Sequence, residues 1–154
     1  MVEKKICFVA SSGGHLEEIS RLRKIESMYD SFLVTEKSDF EVKDFCKKKY
    51  YIYQINRREL LFIPKFIWLF IKAWKILHKE RPDFVITTGA LVAYPFCVLA
   101  KLMKKKVVYI ESFARVNHAS LTGKLLYKSA DLFIVQWEDM LELYPKAIYG
   151  GAIY

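Results

Sequence analysis

Short apolar runs alternate along the sequence with longer segments of helical periodicity, and this alternation restricts the chain to one class of fold. The apolar runs predict strands at Lys5–Ala10, 31–35, 50–55, Phe84–Thr87, 107–111 and Leu132–Val135. The segments between them predict helices at 16–25, 40–48, 64–79, 92–103, 121–129 and 138–143. Strands separated by helices pair in parallel through right-handed crossovers, and strands that are apolar throughout are covered by helices on both faces. We therefore predict a single doubly wound, Rossmann-like α/β domain, since 154 residues leave room for one such domain.

Composition and cysteine usage narrow the class of protein further. Apolar residues make up 53% of the chain and charged residues 27%, which is the balance of a globular rather than a disordered protein. Cys7, Cys46 and Cys97 are odd in number and lack metal-ligand spacing, so we expect reduced thiols in a cytoplasmic protein, and neither a metal nor a cofactor. No apolar run reaches the roughly 18 residues of a spanning helix, and we expect no signal peptide.

Three loops at the carboxyl ends of the predicted strands carry unusual chemistry. They are Ser11-Ser12-Gly13-Gly14-His15 after the first strand, Thr87-Thr88-Gly89 after the fourth and Glu111-Ser112 after the fifth. Ligands of doubly wound sheets bind beyond the carboxyl ends of the strands, so the topology itself predicts that these loops converge. The glycine turn lets the backbone approach an anion toward which helix-start amides point. It matches neither a dinucleotide fingerprint nor a Walker loop, and a plain tight turn is the alternative.

Two residues of these loops have the chemistry of acid–base catalysis. His15 lies at a predicted helix N-terminus, where the helix dipole disfavours the imidazolium, and a neutral imidazole suits a general base. The alternative is a histidine that caps or packs the helix. Glu111 ends a buried strand, so its carboxylate requires either a solvated cleft or a cation, which Arg115 could supply as a purely structural pair.

Basic residues concentrate in the most aromatic part of the chain. Residues 57–81 hold seven basic and two acidic side chains, which is most of the net charge of +8. On the predicted helix 64–79, one arc of roughly 80° holds four lysines and a tryptophan, namely Lys65, Trp68, Lys72, Lys75 and Lys79. The helix is otherwise more apolar than one sheet can cover, which predicts an anionic membrane surface; the alternative is a helix between the sheet and a partner protein. No nucleic-acid-reading fold is recognisable, so we expect no nucleic-acid partner.

The motifs, taken in order, resemble a known family. They are Ser12-Gly13-Gly14-His15, Thr88-Gly89, Glu111-Ser112-Phe113-Ala114-Arg115-Val116, Ser120-Leu121-Thr122-Gly123-Lys124-Leu125-Leu126-Tyr127, Gln136-Trp137 and Tyr144-Pro145-Lys146. Over essentially the whole chain they resemble the membrane-anchoring subunit of the two-part N-acetylglucosamine transferase that extends the dolichol-linked oligosaccharide. They are equally similar to bacterial accessory subunits of capsule and exopolysaccharide glycosyltransferases, and more distantly to the N-terminal half of MurG, a GT-B enzyme.

The resemblance implies one half of a GT-B glycosyltransferase. A separate chain would bind the UDP-sugar, and this chain, which we expect to be inactive alone, would bind a polyprenyl-diphosphate-linked sugar acceptor. By resemblance, His15 would lie near the attacking hydroxyl, and Glu111 is the second catalytic candidate. The acceptor diphosphate would lie against Ser12, Gly13, Gly14, Thr88 and Gly89, and the acceptor loop would include Ser112 and Arg115.

The resemblance also implies where the membrane and the partner are contacted. The eukaryotic subunits carry an N-terminal transmembrane helix, whereas this chain begins with the first strand. The segment 64–79 is therefore the candidate membrane-interface helix of a peripheral protein on the inner, cytoplasmic face of the cell membrane. Family members hold their partner through the tail, here 147–154, with Tyr149, Ile153 and Tyr154 as candidate docking residues. Two other functions stay open at this point: a non-catalytic membrane anchor and activator, and a self-sufficient nucleotide-binding enzyme, against which the lack of a donor-pocket signature speaks.

Overall fold

The computed structural model of the chain describes residues 4–38, 44–56 and 58–153. In these ranges the strands are β1 (Lys5–Ala10), β2 (Asp30–Glu36), β3 (Lys48–Ile52), β4 (Phe84–Thr87), β5 (Lys106–Ile110), β6 (Leu132–Val135) and β7 (Ile148–Tyr149). The helices are α1 (Gly14–Ser20), α2 (Arg23–Met28), α3 (Phe62–Glu80), α4 (Ala93–Leu102), α5 (Leu121–Leu126) and α6 (Met140–Leu143). The strands form one parallel sheet in the order β3-β2-β1-β4-β5-β6-β7. The predicted doubly wound α/β domain is confirmed.

The first predicted helix, 16–25, is two helices in the structure. The backbone of Leu22 leaves the helical region with ψ of 27°, and α2 begins at the next residue. The hydroxyl of Ser20 donates to the Glu17 carbonyl at 2.6 Å, the kind of local bond by which serine competes with the helix ladder. The helix predicted at 121–129 is shorter than expected, since α5 ends at Leu126. The helical turn predicted within 138–143 is α6.

Some strands begin and end at other residues than the sequence predicts, because pairing with the neighbouring strand sets their bounds. The third strand, predicted at 50–55, runs from Lys48 to Ile52 because it stays in register with β2 only over these residues. The helix predicted at 40–48 falls partly outside the described residues, and Lys48 itself belongs to β3. Glu111 lies one residue beyond β5, and β7 is a strand that the sequence analysis did not predict.

The sheet buries a separate apolar cluster on each of its faces. β1 shows the alternation directly, since Ile6, Phe8 and Ala10 belong to the cluster under α1. Cys7 and Val9 belong to the larger cluster under α3 and α4. All five side chains are at most 3% exposed, so β1 is buried on both faces, as its uninterrupted apolar run predicts. The three cysteines are buried and form no disulfide.

The direction in which strands are added to the sheet reverses between β1 and β4. From β1 the strands run outward through β2 and β3, and α3 returns the chain to the other side of β1. The carboxyl ends of β1 and β4 therefore lie side by side while their connections leave in opposite directions, which opens a crevice at this edge. Because α3 leads from the carboxyl end of β3 to the amino end of β4, its first turn lies at the edge with the crevice and its last turn at the opposite edge.

A buried carboxylate at the end of α3 joins the helix to the amino edge of the sheet. Glu80 is 7% exposed, and its oxygens lie 2.9 Å from Lys5 Nζ and 2.6 Å from Lys48 Nζ. The hydroxyl of Tyr50 also donates to this carboxylate. Burial alone raises the pKa of Glu80, but the hydrogen bonds from Lys48, Tyr50 and Lys5 outweigh it and lower the pKa to about 2. The first residues of β1 and β3 are thereby tied to the last residue of α3.

We expect Glu80→Gln to destabilise the fold at neutral pH and to lose this effect in acid. The folded-state pKa of about 2 lies below the ordinary value of 4.5, so the stability from this carboxylate is present above about pH 5 and is lost as the pH falls toward 2. The shift corresponds to about 3 kcal/mol in the free energy of unfolding. Urea unfolding of both proteins between about pH 7 and pH 3 measures the difference. A constant difference across this range would contradict the prediction, and the exposed Glu138→Gln serves as control.

Candidate functional site

The loops that follow β1 and β4 contact each other at the crevice. The hydroxyl of Thr88 donates a hydrogen bond to the main-chain carbonyl of His15 at 2.9 Å, which ties the β4 loop to the start of α1. Gly89 has a φ of +108°, and a Cβ at this position would lie 2.9 Å from the Tyr109 hydroxyl and 3.5 Å from His15 Cε1. Glycine therefore allows both side chains to approach the loop. The predicted convergence of these two loops is confirmed.

His15 lies half-buried between the two loops. Within the described residues its Nδ1 is buried and has no hydrogen-bond partner. Burial lowers the pKa of the imidazole, and the main chain of Thr88 and the charge of Glu111 oppose this shift only in part. The neutral ring predicted from the helix dipole thus results mainly from desolvation. His15 lines two cavities of about 340 and 320 Å³, which a ligand can enter.

The carboxylate of Glu111 is 1% exposed and is surrounded by donors from its own chain. Its Oε2 accepts hydrogen bonds from the Tyr144 hydroxyl at 2.9 Å and from the hydroxyl and amide of Ser120 at 3.1 and 3.3 Å. Its Oε1 accepts one from the Ser112 amide at 3.2 Å. In the described ranges it forms no ion pair with Arg115, so neutral donors take the place of the cleft or cation that the sequence led us to expect.

Gly123 provides the room for this buried carboxylate. A Cβ at Gly123 would lie 2.6 Å from the Tyr144 hydroxyl and 2.9 Å from Ser120 Oγ, and it would also overlap Glu111 Oε2. Ser120 caps α5, since its side chain accepts a hydrogen bond from the Gly123 amide at 2.9 Å. Three of the motifs that carry the family resemblance therefore meet at one carboxylate.

A second buried carboxyl, Glu18, lies beneath the loop that follows β5 and was missed by the sequence analysis. It accepts hydrogen bonds from the Phe113 amide at 2.8 Å, from the Ser112 hydroxyl at 3.2 Å and from Nε2 of Gln136. Trp137 Nε1 donates to the Phe113 carbonyl at 2.7 Å, and the two rings pack with centroids 4.9 Å apart. The Gln-Trp motif thus holds the same loop from a neighbouring strand end.

Helical spacing is the signal that could have identified Glu18. It follows His15 by three residues, and side chains three apart on a helix are neighbours on one face. Burial raises the pKa of Glu18, and the surrounding donors offset this in part. An acidic residue on the buried face of a short helix is uncommon enough to indicate a specific partner.

The residues predicted to bind a diphosphate differ in whether their hydrogen-bond donors are free and in how much space surrounds them. The amide and hydroxyl of Ser12 lie 3.3 and 3.4 Å from Glu36 Oε2, so its donors already face a carboxylate. Gly13 and Gly14 are open, because a Cβ on either would meet nothing within 4 Å. Arg115 lines the smaller of the two cavities, and among the described residues its guanidinium takes part in no ion pair. Across residues 4–38, 44–56 and 58–153, no group of three or more His, Cys, Asp or Glu side chains could hold a metal ion.

α3 exposes an apolar stripe along its length, formed by Ile63, Ile67, Ile71 and Trp74. These side chains follow the helical repeat and are 50 to 69% exposed. The opposite face is buried against the sheet and α4. The prediction that this helix carries more apolar surface than the sheet covers is confirmed. No helix within the described ranges has both the length and the apolar composition to cross a bilayer.

The predicted lysine arc lies beside the apolar stripe of α3. Lys65 pairs with Glu59, and Lys72 Nζ lies 5.1 Å from the ring centroid of Trp68. Lys75 and Lys79 are exposed. At 100° per residue the arc is centred roughly 120° from the stripe, so the charged groups border the exposed apolar face without interrupting it.

The segment after α6 pairs with its own sheet. β7 adds to β6, which leaves the Tyr149 side chain 50% exposed at the sheet edge. The Ile153 amide donates to Gln136 Oε1 at 2.9 Å, and its side chain packs on the cluster under α1. Tyr154 lies outside the described residues. Of the predicted docking residues, Tyr149 is thus presented to solvent, whereas Ile153 is engaged within the chain.

Comparison with known proteins identifies the family. The family model described as "Oligosaccharide biosynthesis protein Alg14 like" matches residues 6–153. The human UDP-N-acetylglucosamine transferase subunit ALG14 is 33% identical to this chain over an alignment of 180 positions. The alignment covers 96% of this chain and 82% of the human protein. The Yarrowia lipolytica protein of the same name is 29% identical over 144 residues, covering 90% of this chain and 53% of its own length.

Solved structures share the fold. MurG from Acinetobacter baumannii matches 88% of this chain with a TM-score of 0.73 at 19% identity. UDP-N-acetylglucosamine 2-epimerase from Rickettsia bellii matches 98% with a TM-score of 0.74 at 14% identity. This chain spans 42% and 45% of those two proteins, less than half of each. The resemblance carried by the motifs is confirmed by the family match over nearly the whole sequence, and the chain belongs to the family of Alg14-like oligosaccharide biosynthesis proteins.

Proposed function

We propose that this chain is the acceptor-binding, membrane-associating subunit of a two-chain glycosyltransferase. A partner chain would bind a UDP-sugar, and the sugar would be transferred to a polyprenyl-diphosphate-linked sugar held by this chain. The observation that carries the proposal is His15, which lines two cavities at the crevice and whose buried Nδ1 is unpartnered within the described residues. The human and Yarrowia relatives are named as subunits of a UDP-N-acetylglucosamine transferase, which makes UDP-N-acetylglucosamine the first donor to test.

His15 has the properties of a general base for this reaction. The attacking group is a sugar hydroxyl, which is a poor nucleophile at neutral pH unless a base takes its proton. The imidazole would accept that proton while the oxygen attacks the anomeric carbon of the donor and UDP departs. Because burial lowers the pKa of His15, the ring is neutral and able to accept a proton at neutral pH.

The acceptor diphosphate fits best between Arg115 and the open glycine turn. The first amides of α1 have no partner within the helix, and Gly13 and Gly14 leave them accessible. Arg115 adds a planar guanidinium that can bind phosphate oxygens in a bidentate manner. Ser12 donates to a neighbouring carboxylate and Thr88 to a main-chain carbonyl, so we assign these two residues to shaping the turn.

We assign Glu111 to holding the acceptor loop rather than to proton transfer. Its carboxylate is 1% exposed and lines neither of the two cavities next to His15. Its contacts with Ser112 and Ser120 close both ends of the loop that carries Arg115. Proton transfer by Glu111 would require these contacts to open in each catalytic cycle.

A membrane surface accounts for both the apolar stripe of α3 and the lysine arc beside it. A helix of this kind lies in the interface with its apolar face among the acyl chains, and its lysines extend to the lipid phosphates. Because the first turn of α3 lies at the same sheet edge as the crevice, the polyprenyl chain could stay in the membrane while its diphosphate reaches the glycine turn. This geometry supports a peripheral position on a membrane surface. We propose the cytoplasmic face as that surface.

The donor site is proposed to lie in a separate chain. This chain spans less than half of the solved structures that share its fold, and its curated relatives are named as subunits. The exposed Tyr149 at the sheet edge supports the tail as the contact with that chain. The names of the relatives do not speak to capsule or exopolysaccharide synthesis, so that biological setting stays a prediction.

We expect His15→Gln to lower turnover by about 10²- to 10⁴-fold, because glutamine cannot take up the proton of the hydroxyl. The assay follows transfer from UDP-N-acetylglucosamine to a polyprenyl-diphosphate-linked sugar by the complex reconstituted from both chains. Wild-type activity should fall only at pH values below 6.5, since the pKa of His15 is lowered from that value and the protonated ring is no base.

His78→Gln is the control for this prediction, since His78 is exposed on α3 and its ring stacks on Trp74. It should leave the rate unchanged. Transfer by this chain without a partner would contradict the two-chain proposal. A loss below about threefold for His15→Gln, in a folded complex that binds acceptor, would favour the non-catalytic anchor and activator instead.

We expect Gly123→Ala to destabilise the fold, although alanine in an open helix position stabilises by about 1 kcal/mol. The new Cβ would displace the carboxylate of Glu111 and crowd Tyr144, which should cost about 1 to 3 kcal/mol in the free energy of unfolding. Urea unfolding of the isolated chain measures this. Gly14→Ala is the stability control, because its Cβ would meet nothing within 4 Å. A stabilised Gly123→Ala protein would contradict the assigned role of Glu111.

We expect the lysine arc of α3 to drive binding to anionic lipid. Changing Lys65, Lys72, Lys75 and Lys79 together to Gln should weaken attachment by about 1 kcal/mol per residue near the surface. Co-sedimentation with vesicles that contain phosphatidylglycerol measures the loss at low and moderate salt. A control variant removes the same charge from exposed lysines outside α3, namely Lys24, Lys47, Lys104 and Lys128. Equal losses in both variants would show attraction by net charge alone, and no loss would assign α3 to a protein contact.

A further inference from the structure

The carboxyl of Glu18 joins α1 to the loop that follows β5. It is 1% exposed, and each of its hydrogen-bond donors in the described residues comes from a different part of the chain than α1. Phe113 donates through its amide at 2.8 Å and Ser112 through its hydroxyl at 3.2 Å. Gln136 completes the set through Nε2, and it donates at 3.0 Å to the Glu111 carbonyl as well. The contact therefore spans α1, the acceptor loop and the end of β6.

Packing alone does not explain why a carboxyl group occupies this buried position on α1. Burying an ionisable group costs free energy that an apolar side chain on the same helix face would avoid. The loop beneath which Glu18 lies presents a main-chain N–H and a hydroxyl toward the helix, and both would be left without an acceptor if the side chain were apolar. The carboxyl is thus matched to the loop rather than to the core.

The position of Glu18 relates this loop to the proposed base. His15 lies one helical turn before Glu18, and both side chains line the cavity of about 340 Å³ together with Ser112 and Phe113. The Arg115 amide bonds to the Ser112 carbonyl at 2.8 Å, so the guanidinium-bearing residue follows the clamped segment through a tight turn. Whatever fixes Ser112 and Phe113 against α1 also fixes Arg115 relative to the imidazole.

We propose that Glu18 is a positioning residue that sets the distance between His15 and the acceptor loop, and through it the binding of the diphosphate-linked acceptor. This inference rests on the proposed function and deepens it, since it assigns to Glu18 the geometry of the acceptor site. The carboxyl takes no part in bond making. It acts by accepting hydrogen bonds, so a side chain of the same shape that still accepts them can replace it.

The first experiment measures the loop in the isolated full chain by amide hydrogen exchange. Glu18→Ala and Glu18→Met accept no hydrogen bond from the loop, and exchange of the Phe113 amide should rise about tenfold in both. Glu18→Gln keeps an oxygen for Phe113 and Gln136, and its exchange should stay close to wild type. Methionine preserves the packed volume, so it gives a readout even where the alanine protein does not fold. Glu17→Ala, on the exposed side of the same helix, is the matched control.

The second experiment measures kinetics of the reconstituted complex with UDP-N-acetylglucosamine and the polyprenyl-diphosphate-linked acceptor. Glu18→Met should raise the acceptor KM about tenfold or more while the KM for the UDP-sugar stays unchanged, because only the acceptor loop is displaced. Glu18→Gln should restore the acceptor KM to near the wild-type value. A general structural defect would instead lower kcat with both substrates and would not be rescued by glutamine.

The outcomes separate this proposal from the proposed function. Faster exchange at Phe113 with an unchanged acceptor KM would overturn the positioning role while the wild-type complex remains active. Unchanged exchange in Glu18→Met would overturn it as well. A wild-type complex that transfers no sugar would remove the proposed function and this inference with it, and that result is visible without any variant.

Discussion

The carboxylate of Glu111 is the group on which the carboxyl edge of the sheet depends. A carboxylate removed from water is stable only where donors surround it, and here the donors come from segments far apart in the sequence. Ser112 lies at the start of the loop that follows β5, Ser120 ends this loop and caps α5, and Tyr144 follows α6. Gly123 leaves the space in which these groups meet. Satisfying one charge therefore fixes the loop, the cap and the end of the last helix together.

Other motif residues hold the same part of the structure. Several motif residues hold the loop that follows β5 in place. The Gln-Trp pair binds the loop at Phe113, and the amide of Lys146 donates to the Tyr127 hydroxyl at 2.6 Å, which secures the segment after Tyr144. The groups left open to a ligand are few, chiefly His15 and Arg115. In the proposed function these supports would keep the few open groups in place around a large, charged acceptor.

The two ends of α3 have different surroundings: its last residue is paired with the sheet, and its first turns expose apolar side chains. Its last residue, Glu80, is bound to the first residues of two strands at the amino edge, far from the crevice. Its exposed apolar stripe begins at Ile63, at the edge where the loops converge. A helix whose last residue is a buried carboxylate paired with two strands can expose an apolar stripe without loosening the core. This supports the proposed approach of the site to a membrane surface.

The sequence by itself determined the parallel α/β fold, β1, β4 and β6 at their observed bounds, the meeting of the two glycine loops and the excess apolar surface of α3. These features follow from local periodicity and from the rule that carboxyl ends of parallel strands share an edge. Only the tertiary structure decided the partners of Glu111, the clamp at Glu18, the commitment of Ser12 to Glu36 and the addition of β7 to the sheet. Glu18 reaches Ser112 across 94 positions and Gln136 across 118, and no periodic pattern records such pairs, because a buried polar group is satisfied by whichever donor the completed fold brings to it.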